Sequence, residues 1–246
     1  MDSVKKAAEL ISNSQKIVVF TGAGISVESG IPTFRGENGL WAKFDPSFLE
    51  LSFFYSNPKE SWKLIKDIFY EYFGKAKPNE AHIFLAKLED MGKLIGVITQ
   101  NIDNLHQEAG SKKVVEYHGN SKYLVCVKCG KRYDFSPERI EKIPPVCEKC
   151  GGVLKPDFIF FGEGIPLDAI SETERLLKES DLLFVIGTTG EVYPAGLIPV
   201  EAKRMGKKVI EINPENSKIT PFADVFLKMK ATEAAKSLAK ELGISL

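Results

Sequence analysis

Three features of this 246-residue chain predict an α/β fold with a mostly parallel sheet and helices on both faces. Short apolar runs recur along the chain as candidate buried strands. Helical patterns separate several of them. The first run opens directly into a glycine-rich turn. Strands covered on both faces read as near-continuous apolar runs, and strand–helix alternation puts them in a parallel sheet.

Val4, Ala7, Ala8 and Ile11 share one face of an N-terminal helix. Ile17–Phe20 is a β-branched run and reads as the first strand, followed by Thr21-Gly22-Ala23-Gly24. Further strands are predicted at Leu94–Thr99, Val114–His118, Phe158–Phe161, Leu182–Gly187 and Val209–Asn213. Ala81, Phe84, Leu85 and Leu88 form a helical face behind Asn79, an N-cap residue just after Pro78. Pro166 can open a helix running toward Ser180, and Thr232 is the expected cap of a last helix ending before Gly243. Two stretches break the rhythm. Residues 32–75 are rich in aromatics, with Trp62, Ile65, Phe69 and Tyr72 at helical spacing, a stripe that reads as core packing. Residues 119–157 carry all four cysteines. Both are expected to build a smaller lobe, leaving 1–31, 76–118 and 158–246 as the main domain.

Composition narrows the partners. Lys plus Arg and Asp plus Glu number 33 each, so the basic excess of a nucleic-acid binder is missing. No apolar run approaches the ~20 residues that span a bilayer. The opening MDSVKKAAELISNSQ lacks the apolar core of a signal peptide, so a cytoplasmic protein is expected.

Cys126-x-x-Cys129 and Cys147-x-x-Cys150 are separated by 17 residues. Each pair places two sulfurs on one side of a tight turn, and two such turns close a tetrahedron around zinc. Four thiolates leave no open position, so the predicted Zn²⁺ is structural and no cysteine remains as a nucleophile. The module has eight basic and four acidic residues between Ser121 and Pro156. Two negative charges from a tetrathiolate zinc leave it only mildly basic, which favours a scaffold over a nucleic-acid reader.

The turn Gly22-Ala23-Gly24 suggests backbone close to phosphate. It is not a complete dinucleotide fingerprint. Val27 stands where a third glycine is wanted, and Asp45, at the distance of the ribose-binding acid, sits in LWAKFDPSF, which is no strand. An ordinary dehydrogenase is disfavoured. Three histidines are available. His82 reads as a solvated or partly packed helix residue and His106 as a structural or supporting group. His118 ends a strand at the sheet's carboxyl edge, where open α/β folds bind ligands.

GAGISVESGIPTFRG from Gly22, TQNIDNLH from Thr99, His118-Gly119, Lys155-Pro156-Asp157, Phe161-Gly162-Glu163, Gly187-Thr188-Thr189, Val192-Tyr193-Pro194 and Ile212-Asn213 follow one another with the cysteine module between His118 and Lys155. This set closely resembles the sirtuin family from about Lys16 to Lys230. The resemblance implies a Rossmann-like domain and an NAD-dependent protein lysine deacylase that consumes NAD and releases nicotinamide, O-acyl-ADP-ribose and free lysine. It places Gly22, Ala23 and Gly24 at the NAD pyrophosphate, and Phe34 and Arg35 on a mobile cofactor loop. Gln100, Asn101, Ile102 and Asp103 would line the nicotinamide and ribose pocket, with Asn101 and Asp103 counted with His118 as catalytic. Gly187, Thr188, Thr189 and Asn213 would meet the adenosine half. Phe161, Gly162 and Glu163 face Val192, Tyr193 and Pro194 as two edges between which an acyl-lysine peptide adds as a strand. His118 would be the base that activates a ribose hydroxyl, work suited to a pKa of ~6.5.

Two departures matter. Thr33 stands where many sirtuins have Asp, as in a subgroup that removes succinyl and malonyl groups with a Tyr-x-x-Arg pair. Alignment on Trp62 puts that pair at Ile65 and Ile68, both apolar. Preference for acetyl and other uncharged acyl groups is therefore expected. Thr189 follows Gly187-Thr188 where Ser is usual, and it keeps the hydroxyl. Rival functions are protein mono-ADP-ribosylation and a zinc-ribbon scaffold with a residual NAD pocket. Oligomeric state is not legible.

Overall fold

Ile17 and Val19 point into one apolar core, Val18 and Phe20 into another, and all four are fully inaccessible to solvent. A strand buried on both faces must be central, and this one is. The computed structural model describes residues 2–36 and 39–246, apart from the side chain of Tyr72. Its strands are β1 (Ile17–Thr21), β2 (Leu94–Thr99), β3 (Val114–Glu116), β4 (Gly119–Cys126), β5 (Arg132–Asp134), β6 (Leu154–Phe158), β7 (Leu182–Ile186), β8 (Lys208–Asn213) and β9 (Val225–Lys228). A six-stranded sheet has the order β3-β2-β1-β7-β8-β9 with every pairing parallel. The chain builds one half leftward from β1 and the other rightward from β7. The reversal between them opens a crevice at their carboxyl ends.

Helices Ser3–Asn13, Glu80–Asp90 and Ala231–Leu242 cover one face. Leu167–Glu179 and Ile198–Arg204 cover the other. The Glu80–Asp90 helix begins as expected, with the Asn79 side chain accepting from the Ala81 N–H at 2.9 Å. Thr232 is not a cap. The last helix starts at Ala231, and the Thr232 N–H is satisfied instead by the Glu28 carboxylate at 3.0 Å. Among the described residues no helix is long and apolar enough to cross a membrane.

The antiparallel sheet β5-β4-β6 and the helices of residues 40–75 share a third core. Trp62 is fully buried there, and its Nε1–H donates to the Leu154 carbonyl at 2.8 Å, tying the helical insertion to β6. Removing a buried aromatic of this kind costs about 3–5 kcal/mol. Ile65 and Phe69 join the same core, as the stripe predicts; the Tyr72 side chain lies outside the described residues.

The expected strand Phe158–Phe161 is a correction. Phe158 ends β6 in the small antiparallel sheet, and residues 159–161 run on outside the parallel sheet. Ile159 N–H bonds to the His118 carbonyl at 2.8 Å, and Phe161 bridges to Glu50. Four consecutive apolar residues signal burial but not which sheet supplies the partner. β9, an edge strand of four residues, escaped the sequence reading for want of a longer apolar run.

Candidate active site

Every loop at the carboxyl edge of the parallel sheet contributes to one cleft of about 900 Å³, at the upper end of small-ligand pockets. Gly22, Ala23 and Gly24 follow β1; Gln100, Asn101 and Ile102 follow β2; His118 follows β3. Gly187, Thr188 and Thr189 follow β7, and Asn213 ends β8. Phe34 and Arg35 close one side, with the Phe34 ring 5.3 Å from Trp41 and 6.4 Å from Phe69. The two glycine turns touch. The Gly24 N–H donates to the Gly187 carbonyl at 2.9 Å, and a Cβ on Gly24 would lie 2.5 Å from the Gly187 Cα. These glycines are therefore required by the meeting of β1 and β7 turns, and the same bareness leaves main chain exposed to a phosphate-bearing ligand.

His118 is half-buried, and its Nδ1 lies 3.2 Å from the Gln100 carbonyl. A carbonyl only accepts, so Nδ1 carries the hydrogen and Nε2 is the free lone pair in the cleft wall. Burial holds the His118 pKa below its ordinary value, and the bond to Gln100 opposes that shift. The ring is thus neutral and in the basic tautomer near neutral pH. Gln100 also ties the sheet together, its Nε2 donating to Thr188 Oγ1 at 3.0 Å, while Asn213 Nδ2 donates to the Thr188 carbonyl at 2.8 Å.

Asn101 is buried and doubly held. Its N–H donates to Thr99 Oγ1 at 3.0 Å. Its Nδ2 reaches the Gly22 carbonyl at 3.2 Å and Ser26 Oγ at 3.3 Å. Ser26 in turn donates to Asp103 Oδ2 at 2.7 Å, and Asp103 Oδ1 accepts the Leu105 N–H at 3.0 Å. Asp103 does not line the cleft, contrary to the expectation from sequence; it stands one layer behind, with its pKa raised by burial. Ser26 was missed, although it lies inside the GAGIS motif.

Two histidines support this layer. His82, expected to be solvated or partly packed, is fully buried. Its Nδ1 accepts the Asn79 N–H at 3.3 Å, which leaves Nε2–H to face Ser26 Oγ at 3.4 Å. Burial lowers its pKa to about 4. His106, read as a supporting group, is also buried, with Nε2 2.9 Å from Thr21 Oγ1. Thr21 passes its own hydrogen to Thr99 at 2.8 Å, so both arms converge on Asn101.

Phe161, Gly162 and Glu163 line the cleft opposite Val192, Tyr193 and Pro194. The two edges are not uniformly open. Phe161 spends its N–H on the Leu49 carbonyl and its carbonyl on the Leu51 N–H, at 2.8 and 3.0 Å. The Val192 carbonyl is taken by the Gly196 N–H at 2.7 Å. Gly162 alone of the first edge keeps both main-chain groups unpartnered among the described residues. The Glu163 carboxylate turns inward, 3.1 Å from Lys155 Nζ, and also accepts the Phe160 N–H at 2.9 Å. Lys155 Nζ is satisfied by the Pro156 and Phe158 carbonyls as well, at 2.8 and 2.7 Å. Burial lowers its pKa despite the Glu163 partner.

The deep wall is aromatic. Phe69 lies 5.2 Å from Phe158, which lies 5.4 Å from Phe160 by ring centroids. Ile65 and Ile68 do not line the cleft; Phe69 does. Ile65 and Ile68 are instead buried inside the lobe's own core, Ile68 within a π turn over Lys66–Tyr72.

The four cysteine sulfurs all lie within 4.8 Å of one another. Cys126–Cys150 and Cys129–Cys147 sulfur distances are 3.5 and 3.7 Å. A tetrahedron with Zn–S of about 2.3 Å has edges of about 3.8 Å, so this donor set fits Zn²⁺. The distances are far too long for disulfides. Gly130 and Gly151, each at φ 69°, end the two knuckles in matching left-handed geometry, and Tyr133 Oη lies 3.1 Å from Cys147 Sγ.

A family model described as Sir2 family matches residues 22–194. An NAD-dependent protein deacylase of Aeropyrum pernix is 44% identical over 252 residues, covering 100% of both chains. One of Aquifex aeolicus is 49% identical over 224 residues, 90% of this chain and 93% of that one. A solved Sir2 histidine-to-alanine variant with a deacetylated p53 peptide and 3′-O-acetyl ADP-ribose superposes with TM-score 0.92 at 40% identity, covering 98% of this chain and 99% of that one. The chain belongs to the Sir2 family, the sirtuins.

Proposed function

We propose that this chain is an NAD-dependent protein lysine deacylase with His118 as its general base. The observation that carries the proposal is the fixed tautomer of His118, whose unprotonated Nε2 faces a cleft built by both halves of the parallel sheet. Its family relatives of similar length are NAD-dependent protein deacylases. Bound NAD supplies an ADP-ribosyl group that parts from nicotinamide and receives the acyl group.

The chain's own residues do the rest. Gly22, Ala23 and Gly24 present main chain to the pyrophosphate. Gln100, Asn101 and Ile102 shape the nicotinamide end, and Ser26 with Asp103 holds Asn101 in place. Thr188, Thr189 and Asn213 take the adenosine half. Arg35, 3.9 Å from Glu191 across the cleft mouth, and Phe34 shield it from water. His118 Nε2 accepts the proton of a ribose hydroxyl. Gly162 pairs with the extended substrate backbone.

The aromatic wall of Phe69, Phe158 and Phe160 receives the acyl group. Among the described residues no free cation stands there, because the hydrogens of the nearby Lys155 ammonium are committed to two carbonyls and Glu163. A carboxylate at this end would be buried without a partner, so uncharged acyl groups such as acetyl are preferred. We further propose residues 1–31, 76–118 and 158–246 as the NAD-binding domain, with 32–75 and 119–157 as the lobe, and a cytoplasmic location consistent with clustered metal-ligating cysteines.

Acetyl- and succinyl-lysine peptides incubated with NAD, with products weighed by mass spectrometry, test this. Nicotinamide and O-acetyl-ADP-ribose are expected, with acetyl turned over faster. ADP-ribosylated protein would indicate transferase activity instead, no turnover would leave a scaffold, and equal succinyl turnover would remove the acyl preference.

A further inference from the structure

A second, shallower depression of about 530 Å³ adjoins the cleft and shares Phe161 and Gly162 with it. Glu50, Leu51, Ser52 and Tyr55 complete it. Tyr55 is 59% exposed and Phe161 45% exposed, unusual for large aromatics. The Glu50 main chain is pinned: its N–H bonds to Ser47, its carbonyl accepts the Phe54 N–H, and it bridges to Phe161. Its side chain is not used. Glu50 occupies the cap position of the Leu51–Ser56 helix without making a capping bond, and its carboxylate has no ion pair or hydrogen bond among the described residues. Of the other described carboxylates that line the cleft, Glu28 accepts the Thr232 N–H, Glu163 is committed to Lys155, and Glu191 faces Arg35 and Lys218. Glu50 is the uncommitted anion on the Phe161–Gly162 wall.

Resting on the deacylase reading, we propose that this depression is a subsite for an arginine or lysine of the substrate protein close to the acyl-lysine. A free carboxylate beside two exposed aromatic rings suits a cation: the ion pair and the ring faces act on the same charge. Arginine fits best, because its planar guanidinium both stacks and forks onto a carboxylate. The shared wall sets the distance. A peptide strand laid along Gly162 advances ~3.3 Å per residue, so residues within two positions of the acyl-lysine reach the depression. A glutamate there would meet Glu50 with like charge.

An alanine-based acetyl-lysine peptide series carrying a single Arg, Ala or Glu at each of the two positions on either side tests this. At one or more positions the Arg peptide should exceed the Ala peptide by about 5–10-fold in kcat/KM, with the Glu peptide below both. Glu50→Gln should bring the Arg-to-Ala ratio to within about twofold, and Glu50→Lys should reverse the order of the Arg and Glu peptides. Raising ionic strength should shrink the wild-type ratio. Equal kcat/KM for all three peptides, or a ratio that survives Glu50→Gln, overturns the subsite while leaving the deacylase reading intact. Failure of the wild-type protein to turn over any acetyl-lysine peptide overturns both.

Discussion

β1 and β7 lie side by side with every side chain buried, and the parallel sheet around them is held by apolar cover on two faces. β5 has three residues, and the antiparallel sheet it edges is held on one side by aromatics and at its end by four cysteines. The larger region is packed on apolar cover from both sides. The smaller one gathers four sulfurs that fit a metal and is tied to its helices by Trp62 reaching across to β6. The cleft lies where the two meet, so polar groups of the sheet act against an apolar wall supplied by the lobe.

The sharpest way to break this comparison is to remove the metal. Structural zinc contributes roughly 10 kcal/mol or more to small modules. Chelation, or Cys147→Ala, should unfold the lobe and abolish turnover while the parallel sheet keeps most of its helical circular dichroism. An inactive protein whose lobe is still folded would instead give the zinc a direct part in the chemistry.

His118→Ala acts on the other side of the boundary. Turnover should fall by about 10²–10⁴-fold, the usual worth of a general base, with the melting temperature little changed. In the wild-type enzyme the acid limb of kcat/KM should lie below the ordinary imidazole value of ~6.5, because burial depresses the His118 pKa. Activity then persists to lower pH. A limb at or above that value, or near-normal activity in the variant, would take His118 out of the role.

A smaller effect separates the regions by pH. His82 titrates near 4 in the folded sheet domain and near ~6.5 unfolded. Between these values the unfolded chain binds a proton that the folded one refuses. The stability this group confers is complete above pH ~6.5, declines as the pH falls and is gone by about pH 4, a total of about 3 kcal/mol. His106, depressed in the same direction, adds to it. Urea midpoints at pH 7 and 4.5 should differ more in the wild type than in His82→Gln. Equal differences would assign the pH dependence to other groups.

Much of this was legible because it is local. Cys-x-x-Cys turns carry their geometry in four residues, Asn79 caps the helix it precedes, and β-branched runs declare buried strands. The motif order was enough to point to the Sir2 family. Phe158–Phe161 was assigned to the wrong sheet because hydrophobicity carries no address. Ser26 was passed over, and the full burial of His82 was not foreseen, because Asp103 and the Ser26 hydroxyl meet them only on folding.

The sequence by itself determined five of the six strands of the parallel sheet, which turns must be glycine, and which four sulfurs gather. Those outcomes follow from backbone sterics, period and spacing over a few residues. Only the tertiary structure decided that Glu163 faces Lys155 rather than a peptide, that Asp103 stands behind Asn101, and that Phe69 rather than Ile65 or Ile68 reaches the cleft. Asp103 is turned by Ser26, 77 residues away, and the other two depend on how the chain packs around β6 rather than on spacing.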